Sequence, residues 1–241
     1  MHIEKPVVIL LRHTPEPERA VAAAARLCYS NSGIRELQEA LSEEQTARLV
    51  KVCVSQGHHS VLEHASFTFG IEGVSRVMTH QLVRHRIASY SQQSQRYVRF
   101  DDAGFVMPPE VAADEGLEAA YREALRRAEE GYLALLREGV KAEDARYLLP
   151  GAAATKITVT MNARELRHFF RLRCCNRAHW EIRGVAVEML KLAMKAAPLL
   201  FSDCGPACLT GPCPEGKMSC GKTAEVREFF AGLAREAGGK G

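Results

Sequence analysis

Missing from this chain is any early apolar run longer than residues 6–11, and that run is far too short to cross a bilayer. Also missing are the basic lead and small-residue cleavage site of a secretory signal, so the expected compartment is the cytoplasm, with no membrane partner. A large charge excess of either sign is absent: 32 Lys and Arg against 29 Asp and Glu leave a net +3. That balance does not by itself call for a nucleic acid. There is no internal repeat, no low-complexity tract and no glycine-rich nucleotide-binding fingerprint. With no export signal, the eight cysteines are not read as a disulfide framework.

What is present is an ordinary globular composition, 46% hydrophobic and 25% charged, in a chain able to bury a core unaided. Its arginines are unevenly spread. Arg84, Arg86, Arg96 and Arg99 crowd one stretch, and Arg164, Arg167, Arg171, Arg173 and Arg177 crowd another. Guanidinium forks bind phosphates and carboxylates in a bidentate way, so two such clusters point to anionic ligands.

Residues 6–11 read as a strand and residues 18–29 as an Ala-rich helix. Ser42-Glu43-Glu44-Gln45 has the capping-box pattern and opens a helix that stops near Gly57. Residues 65–71 alternate aromatic with small or polar side chains, a strand pattern. Residues 75–84 read as a helix, with Val77, Gln81 and Arg84 at about one-turn spacing, and the polar residues 89–95 read as a loop. A long amphipathic helical region covers 110–138, with Gly116 and Gly131 as candidate breaks, and a shorter helix over 142–149 closes at Pro150-Gly151. Residues 155–161 are strand-like. Asn162 and Glu165 form a second capping signature for a helix through about Cys174, and Pro198 stops another over 180–197. Residues 201–222 carry most of the late Gly, Pro and Cys and read as an ordered loop; a short helix over 223–237 and a Gly-rich end follow. The expected fold class is α+β: a single domain, residues 1–200, of helices packed on a small sheet, with 201–241 as a Cys/Gly/Pro-rich C-terminal extension.

The stretch from Arg84-His85-Arg86 through Gln92-Gln93-Ser94-Gln95-Arg96-Tyr97 carries the most chemistry. Arginines hold phosphate, while Ser and Gln read the polar edges of a base or sugar. A solvated basic loop is the plain alternative.

Arg84-His85-Arg86, seven residues, then Ser94 resembles the signature of the flavin-dependent thymidylate synthases, and the match continues through Arg96-Tyr97. Gly57-His58, Glu63-His64, Asn162-Ala163-Arg164, Leu172-Arg173 and Trp180-Glu181 extend the resemblance over about residues 5–200. It implies an enzyme that converts deoxyuridine monophosphate (dUMP) to dTMP, taking carbon from methylenetetrahydrofolate and reducing power from FAD reduced by NADPH. It also implies a homotetramer with active sites at subunit contacts. By the same resemblance Gln81, Leu82, Val83, Arg84, Gln92, Gln93, Ser94, Gln95, Arg96 and Arg146 would bind dUMP, with Ser94 and Arg96 on its phosphate. His58, Ser60, Arg84, His85, Arg86, Gln92, Asn162, Ala163, Arg164 and His168 would bind FAD. Arg173 would be the catalytic residue, facing the uracil and favouring ionisation at N3. Gln92 stands where some relatives carry a carboxylate, and His168 and Arg177 stand where some carry Asn and His.

Helical spacing gives a separate expectation. Arg164 and His168 share one face, Arg173 points about half a turn away, and Asn162 and Arg173, eleven apart, align. Arg167, Arg171 and Arg177 are expected to be solvated. A zinc hydrolase built on His58, His59, Glu63, His64 and His80 is disfavoured by the five-residue separation of His59 and His64. An RNA-binding module using the arginines with Tyr90, Tyr97 and Phe100 is disfavoured by the modest charge. Cys204, Cys208, Cys213 and Cys220 lack the paired spacing of common zinc knuckles, so reduced thiols in a capping loop are expected there, with a structural metal as the alternative.

Overall fold

A computed structural model describes residues 1–102 and 104–238; the end of the Gly-rich tail lies outside the described residues. In chain order the elements are β1 (His2–Ile3), β2 (Val7–His13), α1 (Pro17–Leu27), α2 (Ile34–Glu39), α3 (Glu43–Ser55) and β3 (Ser66–Ser75). Next come α4 (Arg76–Leu82), β4 (Ala88–Gln92), β5 (Gly104–Phe105), α5 (Pro109–Ala112), α6 (Glu115–Arg137) and α7 (Ala142–Ala145). The remainder is β6 (Ala154–Asn162), α8 (Ala163–Arg173), α9 (Trp180–Ala196), α10 (Pro198–Phe201) and α11 (Thr223–Gly238). Long helices with a four-stranded sheet ordered β2-β3-β6-β4 and a two-stranded β1-β5 pair make the fold α+β, as expected. β1 runs parallel to β5, His2 opposite Gly104 and Ile3 opposite Phe105.

Several elements start where their side chains dictate. The Ser42 hydroxyl accepts from Gln45 N–H at 3.2 Å while the Gln45 side chain accepts from Ser42 N–H at 3.3 Å, completing the box that opens α3. Asn162 Oδ1 accepts from Glu165 N–H at 2.9 Å and starts α8. The long helical region breaks ahead of Gly116, where Asp114 caps α6 through Leu117 N–H at 2.9 Å; Gly131 lies unbroken inside α6. The helix expected over 142–149 shrinks to α7 followed by a 3-10 turn, Arg146–Leu148.

One expectation is corrected. Residues 88–92 are strand β4 and not loop. Ser89 and Ser91 face solvent while Ala88, Tyr90 and Gln92 are half-buried, so the alternation is only five residues long and lacks the large aliphatic side chains that betray a strand in sequence. Backbone pairing supplies the stability instead, extended by Gln93 N–H donating to Lys156 O at 2.9 Å.

By contacts the chain divides into two units. The first comprises Met1–Val8, Gly70–Arg84 and Tyr90–Thr158. Phe105, Leu125 and Ala153 form its core, with Ile3, Phe100, Tyr121, Leu149 and Ala152 packed around them. Gly73 is required there: its φ is +68°, and a Cβ would lie 2.1 Å from Lys5 O.

The second unit comprises Ile9–Phe69, His85–Ser89 and Val159–Gly241. Its core stacks Phe67 edge-on against Phe201 (5.1 Å between centroids) and Phe201 against Phe170 (6.0 Å). α9 buries Ile182, Val185, Ala186, Met189, Leu190, Ala193 and Met194, which makes it a central helix of this unit. The Gly/Pro-rich loop ahead of α11 is ordered by arginines: Arg227 donates to Cys208 O (2.9 Å) and Gly211 O (2.8 Å), and Arg177 donates to Met218 O. Cys204 and Cys208 are buried, and all eight cysteines are free thiols. Among the described residues no helix is long and apolar enough to cross a membrane.

Candidate functional site

The first unit collects most of the residues expected at a nucleotide. Gln81 is half-buried in α4, and Leu82 behind it is fully buried, so any ligand contact by Leu82 is made through its backbone. The neighbouring backbone is already engaged: Leu82 O accepts from Tyr90 Oη–H at 2.9 Å, and the N–H groups of Val83 and Arg84 donate within the turn. Gln92 donates its amide to Thr79 Oγ1 at 3.0 Å and, less closely, to Thr155 Oγ1 at 3.4 Å. That fixes its orientation and leaves its oxygen as the group to offer elsewhere. Arg76 donates to Gln93 O at 2.9 Å; burial and the nearby Arg146 charge hold its own pKa below the usual arginine value.

After β4 the chain turns tightly, with Arg96 N–H donating to Ser94 Oγ at 3.2 Å. Arg96 then grips Glu143 Oε2 through Nε (3.1 Å) and Nη2 (3.0 Å), and Arg146 Nε donates to Glu143 O at 3.0 Å. Glu143 therefore gathers two of the expected anion-binding arginines, a role that spacing alone did not reveal. The amide nitrogen of Gln95 is buried with no hydrogen-bond partner among the described residues. Such a donor costs free energy unless something accepts from it.

The second unit holds a cavity of about 600 Å³, within the roughly 300–1,000 Å³ range of cofactor pockets. Asn162, Arg164, His168 and Arg171 from the start and exposed face of α8 line it, with His59, Glu63 and Ile87. Asp203 and the loop through Thr210 also contribute. Arg164 and His168 share that face, as the four-residue spacing predicts. Arg173 is not among the lining residues. Asn162 is the cap, with extended φ −76° and ψ 166°.

Two carboxylates border the cavity. Glu63 receives Arg164 Nη1 at 2.6 Å, and Asp203 takes a two-pronged grip from Arg167 at 2.7 Å and 2.7 Å. Arg167 is thus not merely solvated. Its burial works to lower its pKa, but the Asp203 bond and charge win and raise it. Arg177, bound to Met218 O and 3.6 Å from Glu215, is likewise engaged, whereas Arg171 stays exposed as expected. Of the other residues expected at FAD, His58, Ser60 and Arg86 are exposed and Ala163 is fully buried.

His85 is 5% exposed, and both its ring nitrogens are engaged. Nδ1 lies 3.0 Å from Glu165 Oε1, and Arg173 Nε–H donates to Nε2 at 3.0 Å. Its ring stands edge-on to Phe169 (4.9 Å) with His168 beyond (6.0 Å). Burial lowers the His85 pKa, the Glu165 bond opposes that, and the Arg173 charge adds to the lowering. Burial also lowers the Arg173 pKa. Glu165 was legible only as half of a capping signature, because burial of a first-turn carboxylate against a distant imidazole leaves no mark in local spacing.

Of the two thiols beside Arg173, Cys174 is not poised for nucleophilic work. Cys174 is fully buried, and burial pushes its thiol pKa strongly up. Cys175 is half-buried. Among the described residues no group of three or more His, Cys, Asp or Glu side chains is placed to hold a metal ion.

Comparison with known proteins agrees with this architecture. The family model described as thymidylate synthase complementing protein matches residues 9–199. A flavin-dependent thymidylate synthase of Geobacter sulfurreducens is 61% identical over 225 residues, covering 92% of this chain and 97% of that protein. One of Clostridium tetani is 50% identical, covering 92% and 96%. Among solved structures, the UMP/dUMP methylase PolB from Streptomyces cacaoi, bound with 5-Br dUMP, superposes with a TM-score of 0.74. It is 24% identical and covers 83% of this chain and 95% of its own, a likeness of fold. A match this broad, to the family model and to relatives over nearly their whole length, settles membership: the chain belongs to the thymidylate synthase complementing protein family, that of the flavin-dependent thymidylate synthases.

Proposed function

We infer that this protein is a flavin-dependent thymidylate synthase, which methylates dUMP to dTMP with methylenetetrahydrofolate as carbon donor. The observation that carries the reading is the family match over residues 9–199, which includes the Arg84-His85-Arg86 signature with Ser94 and Arg96. FAD reduced by NADPH supplies the reducing equivalents that turn the folate methylene carbon into a methyl group. The donor set around the second unit's cavity suits FAD. Asn162, Arg164, His168, Arg171 and His59 present amide, guanidinium and imidazole N–H groups to one space, the chemistry that a pyrophosphate and a carbonyl-rich ring require. His58, Ser60, Arg84, His85, Arg86, Gln92 and Ala163 complete the proposed FAD set.

The proposed dUMP residues divide by chemistry. Ser94, Arg96 and Arg146 suit the phosphate, and Arg84 adds charge. Gln81, Leu82, Val83, Gln92, Gln93 and Gln95 suit the sugar and base, the buried Gln95 donor being satisfied by a ligand oxygen. The Arg173 guanidinium stabilises negative charge spreading from uracil N3, which makes C5 nucleophilic without a covalent enzyme bond. The working assembly is proposed to be a cytoplasmic homotetramer using NADPH.

The test is spectroscopic and then chemical. Purified protein should take up FAD and show flavin absorbance that NADPH bleaches. With dUMP and methylenetetrahydrofolate added it should form dTMP. Protein that neither purifies yellow nor takes up added FAD would overturn the assignment.

A further inference from the structure

We propose that Glu165 is a positioning residue for the methylation: by fixing the tautomer of His85 it makes His85 hold the Arg173 guanidinium in place. The inference rests on the reading above, in which Arg173 faces the pyrimidine. Its core is an ordering of protons along three side chains. Arg173 Nε can only donate, so His85 Nε2, 3.0 Å away, must present its lone pair. The ring proton of neutral His85 is then on Nδ1, where it is donated to Glu165 Oε1 at 3.0 Å. Carboxylate, imidazole and guanidinium thus form one directed chain, and only its last member faces the substrate.

The surroundings leave the ring little freedom. The His85 side chain is 4% exposed and that of Glu165 8%. Phe169 packs edge-on against the ring, and the Glu165 backbone is pinned by the Asn162 cap. Charged or titratable groups near the ring are Glu165, Arg173 and His168, all from α8, with Arg84 and Arg86 adjoining His85 in the chain. Burial and the Arg173 charge together oppose protonation of the ring, which suits a ring that must keep an acceptor.

Loss of the Glu165 acceptor removes the group that holds the ring proton on Nδ1. The ring then favours the other tautomer, which sets an N–H against the Arg173 Nε–H, donor to donor. Arg173 must turn away, carrying with it the terminal nitrogens meant for the pyrimidine. Holding Arg173 by Nε leaves those two terminal nitrogens as its ligand-facing edge, a geometry a lysine could not reproduce.

Three substitutions separate this role from plain packing. Glu165→Gln keeps an oxygen that can accept from Nδ1–H, so the tautomer and most of kcat should survive. Glu165→Asp keeps the charge but withdraws it by one methylene, and Glu165→Ala removes the acceptor. Both should lower kcat about 10²-fold, the effect expected of a misplaced catalytic group. The KM for dUMP and flavin uptake should change little, while the melting temperature should fall in Glu165→Asp and Glu165→Ala, where a buried donor loses its acceptor. Nitrogen NMR of His85 provides a readout independent of activity: Nδ1–H in the wild type and Glu165→Gln, with Nε2–H populated in Glu165→Asp and Glu165→Ala. Wild-type kcat in folded, yellow Glu165→Asp, or a Glu165→Gln variant as slow as Glu165→Asp, would overturn the proposal. So would an Nε2–H ring in the wild type. A wild type that forms no dTMP yet shows the Nδ1–H tautomer would instead defeat the assigned reaction while leaving the proton order intact.

Discussion

Arg96→Ala isolates the phosphate end of the proposed dUMP site. In the free protein Arg96 and its partner Glu143 are 52% and 36% exposed. Such a surface pair contributes about 0–1 kcal/mol, so the melting temperature should hardly move. The bound state is different. A phosphate that loses a guanidinium in a desolvated site loses about 2–4 kcal/mol. At about 1.4 kcal/mol per decade, dUMP should bind roughly 30- to 700-fold more weakly. FAD affinity, titrated separately by flavin fluorescence, should stay near the wild-type value. Calorimetric titration with deoxyuridine supplies the control, since a ligand without phosphate should not register the substitution. Equal losses for dUMP and FAD, or an equal loss for deoxyuridine, would remove Arg96 from the phosphate and refute the reasoning.

Three further outcomes are expected. Cys174→Ala and Cys175→Ala should each retain most of the dTMP-forming rate, while Arg173→Ala should lose it with flavin still bound; a folded, yellow and inactive cysteine variant would restore a covalent mechanism. Gly73→Ala combines a φ of +68° with a Cβ 2.1 Å from Lys5 O. It should cost about 2–4 kcal/mol, lowering the melting temperature by roughly 4–16 °C, and an unchanged thermal melt would contradict the close approach. His85 holds its pKa below the ordinary 6.5 chiefly through burial. The unfolded chain therefore binds a proton that the folded ring resists, and this contribution is present above pH 6.5 and lost as pH falls toward the folded value. Urea midpoints should drop between pH 7.5 and 5.5 by more in the wild type than in His85→Gln; equal drops would assign the pH dependence elsewhere.

What could be read in advance was whatever is decided locally. The Ser42 and Asn162 caps announce their helices because the side chain and the backbone it satisfies lie within one turn. β3 and β6 announce themselves because one face of each is apolar. β4 did not, since it is short, its inner face holds only Ala88, Tyr90 and Gln92, and its stability comes from pairing with a strand some seventy residues away. α2 and the two-residue β1 are too short for any periodicity to emerge. The arginines of α8 were legible as a cluster, but only the fold shows that Arg164, Arg167 and Arg171 all line the cavity and that Arg167 is committed there to Asp203. Glu143 escaped notice, and Glu165 showed only its part in a cap, for the same reason: each acts on a residue far away in sequence.

Asn162 shows how one amide can serve two masters with opposite demands. Its oxygen is committed to the first turn of α8, so a guest in the cavity meets chiefly the amino end. At Asn162 itself the selection is one of polarity: guest lone pairs meet a donor, while guest N–H groups must look to the carboxylates at the cavity's border. A change of one atom can pull the two duties apart. Asn162→Asp keeps the oxygen that starts the helix and replaces the donor with negative charge. Such a chain would fold as before while turning away an anionic guest of the kind proposed for this cavity.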